Sequence, residues 1–227
     1  MGRGAAVQIA PRVWRIPTAI GDLINTFALV DDDGTVTLVD AGLSRGHKRI
    51  RAGLAALGAQ PSAVRRIVVT HAHRDHVGGL RKLVNHTGAE VASHEREAPY
   101  LRDGRSSRFG RGRRHTFRRV VVAEQFMDGS LLPVAGGLRV IHTPGHTPGH
   151  VSLLHAPTGV LITGDALFNM RAIRYSPGWL CTDAELNRKS ADVLGDLDYD
   201  VAAFTHGPEI RAGAREAVRA FLRGRET

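Results

Sequence analysis

The chain reads as a mixed α/β protein folded as one domain, and three observations carry that reading. Short apolar runs rich in Val, Ile and Leu alternate with longer stretches whose apolar residues recur at helical spacing. No repeat, linker or low-complexity block divides the 227 residues, a length that one large domain can occupy. Histidines and aspartates with metal-ligand character end apolar runs in both halves, so a site built from them would tie the halves together.

Composition fits an ordinary globular protein. The 42% of hydrophobic residues can fill a substantial core, and with aromatics at 5% that core must lean on Val, Leu, Ile and Ala. The single cysteine, Cys181, excludes an internal disulfide, fits a reducing compartment and is expected to be a plain structural thiol. The segment Met1–Gln8 has no long apolar region, and no run of 18 apolar residues occurs. The expectation is therefore a cytoplasmic protein that does not span a membrane.

The elements follow in order. Val13–Ile16, Asn25–Val30 and Thr35–Val39 read as strands, the last two joined by the turn Asp31-Asp32-Asp33-Gly34. Ser44 is placed to cap a helix with Ile50, Leu54 and Leu57 on one face and Gly58 at its end. A strand over Arg66–Val69 follows, then a helix from Val77 to His86 that stops near Gly88 with Leu80, Leu83 and Val84 inward. Glu90–Ser93 is another strand, and His94 stands where it gives way to a short helix, an end-of-strand residue and not a ligand. Strands are expected again at Val120–Ala123, Leu138–His142, Val151–Leu154 and Val160–Thr163, with Pro157-Thr158-Gly159 turning the last two into a hairpin. Thr182-Asp183-Ala184-Glu185 has capping-box character and opens a helix toward Leu197. A strand over Val201–Thr205 and a helix over Arg211–Leu222 end the series.

The formal charge of +9 is concentrated locally. Between positions 101 and 119, Arg102, Arg105, Arg108, Arg111, Arg113, Arg114, Arg118 and Arg119 face one acidic residue, Asp103. Such a field attracts anionic small molecules, nucleic acid or a membrane surface. The segment interrupts the alternation and contains three glycines, so it reads as a loop or partly helical cover. A substrate-facing lid and a solvated loop both remain open.

The densest chemistry lies in Thr70-His71-Ala72-His73-Arg74-Asp75-His76-Val77-Gly78-Gly79, directly after a buried strand. A chain that leaves a strand and turns into a helix can aim His71 and His73 to one side and Asp75 and His76 to the other. One catalytic metal needs only three protein ligands, so four in one stretch point to two metals. Further ligands must arrive from other strand ends. His146 in Thr143-Pro144-Gly145-His146, Asp165 after Val160–Gly164 and His206 after Val201–Thr205 stand in such places.

In that order these seven residues resemble the ligand set of the metallo-β-lactamase-fold superfamily of dinuclear metal hydrolases, and the resemblance runs from about Val13 to about Leu222. It implies an αββα sandwich, two sheets with helices on the outer faces, over a single domain 1–227 in which about 101–119 is an Arg-rich loop or lid insertion. It implies that His71, His73 and His146 hold one Zn2+ and Asp75, His76 and His206 a second, with iron or manganese as alternatives. Asp165 would bridge the two together with a water or hydroxide that attacks the substrate, and Asp75 would take up the released proton. By the same resemblance Asp40, in Asp40-Ala41-Gly42, is a buried residue behind the metals.

Within the family, penicillin-hydrolysing members generally lack the bridging aspartate that this chain has. Quorum-signal lactonases usually carry a tyrosine where Phe168 stands here, whereas Thr163-Gly164-Asp165-Ala166-Leu167-Phe168 looks like glyoxalase II-type thioesterases. The helical glutathione-binding domain of full-length glyoxalase II does not occur in this sequence, which leaves the thiol carrier open. The expectation is hydrolysis of a thioester, ester or lactone. A mononuclear iron persulfide dioxygenase and a phosphodiesterase acting on nucleic acid are the competing readings. Phe168, Arg171, Arg174, Tyr175 and Trp179, just beyond Asp165, are expected to line the mouth and bind a small, anionic substrate. No specific nucleic-acid or membrane partner is expected, and a homodimer is left open.

Overall fold

In the computed structural model, which describes residues 6–224, the first seven strands form one sheet in chain order. They are β1 (Val7–Ala10), β2 (Val13–Pro17), β3 (Asn25–Val30), β4 (Val36–Val39), β5 (Val64–Val69), β6 (Glu90–His94) and β7 (Glu124–Phe126). The first four run antiparallel, and β4 through β7 run parallel. The crossovers carry α1 (Gly46–Ala56), α2 (Arg74–Val77), α3 (Leu80–Thr87) and α4 (Ala98–Asp103). A second sheet contains β8 (Leu131–Leu132), β9 (Leu138–His142), β10 (Val151–His155) and β11 (Val160–Ile162). The chain then makes a separate hairpin of β12 (Leu167–Asn169) and β13 (Ile173–Tyr175), and α5 (Ala184–Ala191) follows. It re-enters the second sheet as β14 (Val201–Ala203), parallel to β11, before ending in α6 (Ala214–Arg223). No helix among the described residues is long and apolar enough to cross a membrane.

The packing is layered as expected. Val13, Phe27, Leu29, Val39 and Val68 of the first sheet meet Val140, Val151, Leu153, Val160 and Ile162 of the second in one buried cluster. On the far face of the first sheet, Ile16, Ala28, Leu38, Ile67 and Val69 pack with Ile50, Leu54, Leu80 and Leu83 of the helices. On the far face of the second, Leu161 and Ala202 join Ala191, Val218 and Leu222 of α5 and α6. The end of β5 nearest the motif, Ile67–Val69, is covered on both faces, and there the sequence is continuously apolar, whereas Arg65 and Arg66 nearer its start reach solvent.

Several local expectations are corrected. Ser44 does not cap α1, which begins at Gly46 without a side-chain cap. The Ser44 carbonyl and hydroxyl instead accept bonds from Lys82 Nζ at 3.1 and 3.3 Å. The helix expected over Val77–His86 is two pieces, α2 and α3, broken at Gly78 and Gly79, where Cβ atoms would come 2.5 and 2.4 Å from the Arg74 and Ala41 carbonyl oxygens. Val120–Ala123 forms no strand: Ala123 N reaches the Val91 carbonyl of β6 at 2.9 Å, but the ladder with β6 starts at Glu124. Asp183, not Thr182, caps α5, its carboxylate accepting from Leu186 N at 2.9 Å. The strands β1, β8, β12 and β13 were not expected. The reading of the N-terminal segment falls largely on residues 1–5, outside the described residues.

Candidate metal centre

The functional side chains gather where co-directed strands end. β4 delivers Asp40, β5 delivers His71 and His73, and α2 turns Asp75 and His76 back toward them. From the second sheet β9, β11 and β14, which run in one direction, deliver His146, Asp165 and His206. Two groups of possible ligand atoms result: His71, His73 and His146, and Asp75, His76, Asp165 and His206, the atoms of each lying within 4.8 Å of one another.

Distances give the arrangement its sense. His146 Nε2 lies 2.8 Å from His73 Nδ1 and 3.0 Å from His71 Nε2, so three ring nitrogens face a common point. Asp165 stands between the groups. Its Oδ2 is 3.3 Å from His146 Nε2 and 3.9 Å from His71 Nε2, while its Oδ1 is 3.2 Å from His76 Nε2 and 3.4 Å from His206 Nε2. Asp75 Oδ2 closes the second group at 3.3 Å from His206 Nε2. Buried His76 Nε2 and Asp165 Oδ1 have no hydrogen-bond partner. Such groups are costly unless something satisfies them, and converging lone pairs with inward carboxylates suit cations.

Behind the ligand atoms the chain fixes each ring. His76 Nδ1 donates to Asp40 Oδ2 at 2.7 Å, and Asp40 also accepts from Thr70 N at 2.8 Å and from Thr70 Oγ1 at 2.7 Å. Asp40 holds a left-handed backbone, φ 65°, a strained conformation for a residue with a side chain. His206 Nδ1 donates to the Leu23 carbonyl at 2.6 Å, and His146 Nδ1 pairs with Ser176 Oγ at 2.9 Å. These bonds leave the opposite nitrogen of each ring for the centre.

The two groups differ in charge. Burial pulls His71 and His146 well below the ordinary imidazole range and His73 to about 4, so the first group is neutral at physiological pH. Burial also opposes charge on His76 and His206, but Asp165 outweighs it, with Asp40 and Asp75 assisting at His76 and Asp75 at His206. His76 is held well above its usual range and His206 near 10. Desolvation likewise fails to keep Asp165 and Asp75 protonated, because these histidines hold both carboxyls below the usual range. The carboxylates thus attract positive charge, carried by imidazolium protons when no other cation is bound.

The Arg-rich segment covers the first group. Phe109 is buried, its ring centroid 5.1 Å from that of His73, and His115 lies 5.5 Å from His73 and 4.7 Å from Phe109. The cover is tied down by Gly110 N to the Cys181 carbonyl at 3.2 Å and Thr182 Oγ1 to the Arg108 carbonyl at 2.8 Å. The cover is folded, and its arginines are exposed. The first group is closed off, whereas the Asp75 and His206 side chains are 28% and 13% exposed, so the centre opens over the second group.

Residues beyond Asp165 divide. Phe168 lies against His206, centroids 4.3 Å apart, and Arg174 opposite it in the hairpin shares its face, held by the Met170 carbonyl at 2.7 Å. Tyr175 corrects its expectation: it pairs with Leu167 on the other face and packs against Phe221 of α6. Arg171 is exposed, and Trp179 is an exposed ring whose backbone touches the lid at Gly110. Cys181 is buried 3.8 Å from His146 Nδ1, and burial pushes its thiol up to about 11, in keeping with a structural thiol.

Two important side chains were not singled out from sequence. Glu97, fully buried, accepts from Ala72 N at 2.8 Å and Gly149 N at 2.9 Å, joining the loop of His71 and His73 to that of His146. His150 Nε2 accepts from Asp165 N at 2.8 Å and fixes the backbone of the central aspartate. His150 had a signal in the repeated Pro-Gly-His of 144–150; Glu97 had none. Backbone contact also places the ligands. A Cβ on Gly145 would lie 2.0 Å from Asn187 N, and one on Gly207 2.0 Å from the Asn169 carbonyl oxygen; both glycines have positive φ and adjoin His146 and His206.

Comparison with known proteins agrees with this geometry. The family model described as the metallo-beta-lactamase superfamily matches residues 20–206. The uncharacterized protein YobT of Bacillus subtilis is 32% identical over 213 residues, covering 86% of this chain and 90% of that protein. The probable metallo-hydrolase YqgX of the same organism is 32% identical over 204 residues, covering 88% and 92%. The hydroxyacylglutathione hydrolase GloC of Haemophilus influenzae is 32% identical over 106 residues, 45% of this chain and 49% of that one. Among solved structures, a HARLDQ-motif mutant metallo-beta-lactamase from Cronobacter sakazakii superposes with a TM-score of 0.76 at 24% identity, covering 98% and 95% of the two chains. With the fold, the strand-end histidines and these matches in agreement, the chain belongs to the metallo-beta-lactamase superfamily.

Proposed function

We propose that the protein is a dinuclear metal hydrolase, loaded with two zinc ions, that cleaves a thioester, carboxylic ester or lactone. The observation that carries this reading is Asp165, whose two oxygens face two different groups of ligand-type side chains. Two divalent cations held there supply an activated water and a Lewis acid for the scissile carbonyl. His71, His73 and His146 would hold one, and Asp75, His76 and His206 the other, with Asp165 common to both.

The remaining work belongs to the chain. Asp40, Ser176 and the Leu23 carbonyl keep the rings aimed. Asp75, the more open of the two central carboxylates, is placed to take a proton as the nucleophile attacks. Phe109 and Phe168 exclude water on two sides. Exposed Ile20 and Leu23, beside the carbonyl that anchors His206, offer an apolar surface to the acyl group. The match to a hydroxyacylglutathione hydrolase supports an acyl substrate.

The test is metal content by inductively coupled plasma mass spectrometry with a panel of thioesters, esters and lactones. Two zinc ions per chain with turnover of an acyl substrate are expected. One iron per chain with oxygen uptake and no hydrolysis would refute the reading in favour of persulfide chemistry.

A further inference from the structure

A second concavity shares a wall with the metal centre. It is a groove of about 570 Å³ lined by Leu43, Ser44 and Arg45 after β4, by Arg74 and Gly78 of the motif, by Arg81 and Lys82 at the start of α3, and by Thr116, Phe117 and Arg118 of the lid. Its size is that of a small-molecule site. The shared wall is defined by contact: Arg74 N lies 3.5 Å from His115 Nδ1, and the His115 ring lies against His73. The chain that runs from the metal cover into the groove is therefore continuous over residues 115–118.

The groove presents five cations, Arg45, Arg74, Arg81, Lys82 and Arg118, and no carboxylate. None of the five makes an ion pair among the described residues, whereas Arg12, Arg15, Arg66, Arg211 and Arg215 elsewhere each have an acidic partner. Lys82 is held over the groove rim by the Ser44 carbonyl and hydroxyl, and Arg81 by the Arg119 carbonyl at 3.4 Å. Neutral acceptors position these side chains without cancelling their charge. Leu43 and the half-buried Phe117 ring add an apolar wall, and the Thr116 hydroxyl a polar donor. Clustered guanidinium groups in a concave site match phosphate oxygens, which they bind in pairs. A bounded groove with one aromatic ring fits one phosphorylated small molecule better than a run of stacked bases.

We propose that this groove binds the phosphate-bearing handle of the substrate: an acyl group joined to a phosphorylated, nucleotide-sized carrier whose reacting end reaches the metal centre along residues 115–118. The placement of the acyl end rests on the hydrolase reading; the phosphate site does not. Arg81 and Arg118 are exposed and outside the metal groups, so they can be removed without touching the reacting atoms.

The experiment uses the zinc-loaded protein and its Arg81→Ala/Arg118→Ala double variant. Isothermal titration at low salt with adenosine 3′,5′-bisphosphate is expected to show saturable binding that the double variant weakens at least about tenfold, with zinc content and melting temperature not lowered. In kinetics, acetyl-coenzyme A is compared with S-acetyl-N-acetylcysteamine, the same thioester without phosphates. The variant should raise KM about tenfold for the first, leave kcat alone and leave the second unaffected. Equal bisphosphate binding by the two proteins would overturn the proposal, as would a short single-stranded oligonucleotide that binds more tightly than the bisphosphate and is lost in the variant. Bisphosphate binding that depends on the arginines, with neither thioester hydrolysed, keeps the groove and removes the hydrolase reading. Hydrolysis of both thioesters with equal KM in both proteins overturns the groove's role in substrate binding and leaves the hydrolase reading.

Discussion

Replacing Glu97 by alanine tests whether a carboxyl, and not a metal, holds the two ligand loops together. The substitution strands two buried backbone donors, Ala72 N and Gly149 N, now bonded at 2.8 and 2.9 Å. Each unsatisfied group costs about 1–3 kcal/mol, hence about 2–6 kcal/mol together. Burial works against this, because it raises the Glu97 carboxyl from 4.5 to about 7. Above that pH the folded protein must ionise a group that resists it by about 3 kcal/mol. The group's folded pKa lies above its unfolded one, so its contribution is complete below pH 4.5 and falls as pH rises toward 7. Glu97→Ala should therefore lose about 2–6 kcal/mol at pH 5 and about 3 kcal/mol less than that at pH 8. Urea unfolding of chelator-treated wild type and variant at the two pH values measures both. A larger loss at pH 8 than at pH 5 would refute the reasoning, because it would mean that the two N–H bonds stabilise an ionised clamp.

Other outcomes follow from the centre itself. Ala at His71 or Asp165 should lower turnover by more than about a thousandfold with an unchanged circular dichroism spectrum; full activity in either would contradict the assigned roles. Metal must displace protons from His76 and His206 but not from His71, His73 and His146. Affinity for the second ion should thus fall up to about a hundredfold per unit drop in pH while that for the first stays nearly level from pH 8 to 6. Chelator competition resolves the two steps, and parallel pH dependence would count against the division. Phe109→Ala removes the lid's anchor on His73 and should cost about 3 kcal/mol, read as faster tryptic cleavage among the lid arginines; an unchanged cleavage rate would show that the lid is held elsewhere. Arg171→Ala, at an exposed residue with φ 72°, should leave stability within about 0.5 kcal/mol.

What could be read from the sequence was what nearby residues decide. His71 through His76 announce themselves because the ligand types crowd into one turn, and His146, Asp165 and His206 because each closes an apolar run. Glu97 and His150 act through partners far along the chain, Ala72 and Gly149 for the one and Asp165 for the other, and no local pattern records such bonds. Val120 and Val122 alternate like a strand and are buried like one, yet Val120 N bonds to the Leu101 carbonyl of α4, and the ladder with β6 starts only at Glu124. The lid's charge was visible while its inner surface was not, because Phe109 and His115 are single residues among arginines. Tyr175 misled for a related reason: the hairpin's register, set by the pairing Leu167↔Tyr175, decides which face meets the centre.

The close backbone approaches at Gly145 and Gly207 bear on how this catalyst could be rebuilt. A protein that sets its ligands by wedging main chain against main chain has put its precision into positions that do no chemistry. Exchanging a histidine for another donor, to favour a different ion, disturbs a side chain whose seat is already shaped. Exchanging the adjacent glycine dislodges the seat. A library aimed at new reactivity should therefore vary the ligands and the outward groove freely and leave 145 and 207 untouched, since a loss there would be mistaken for a failure of the chemistry.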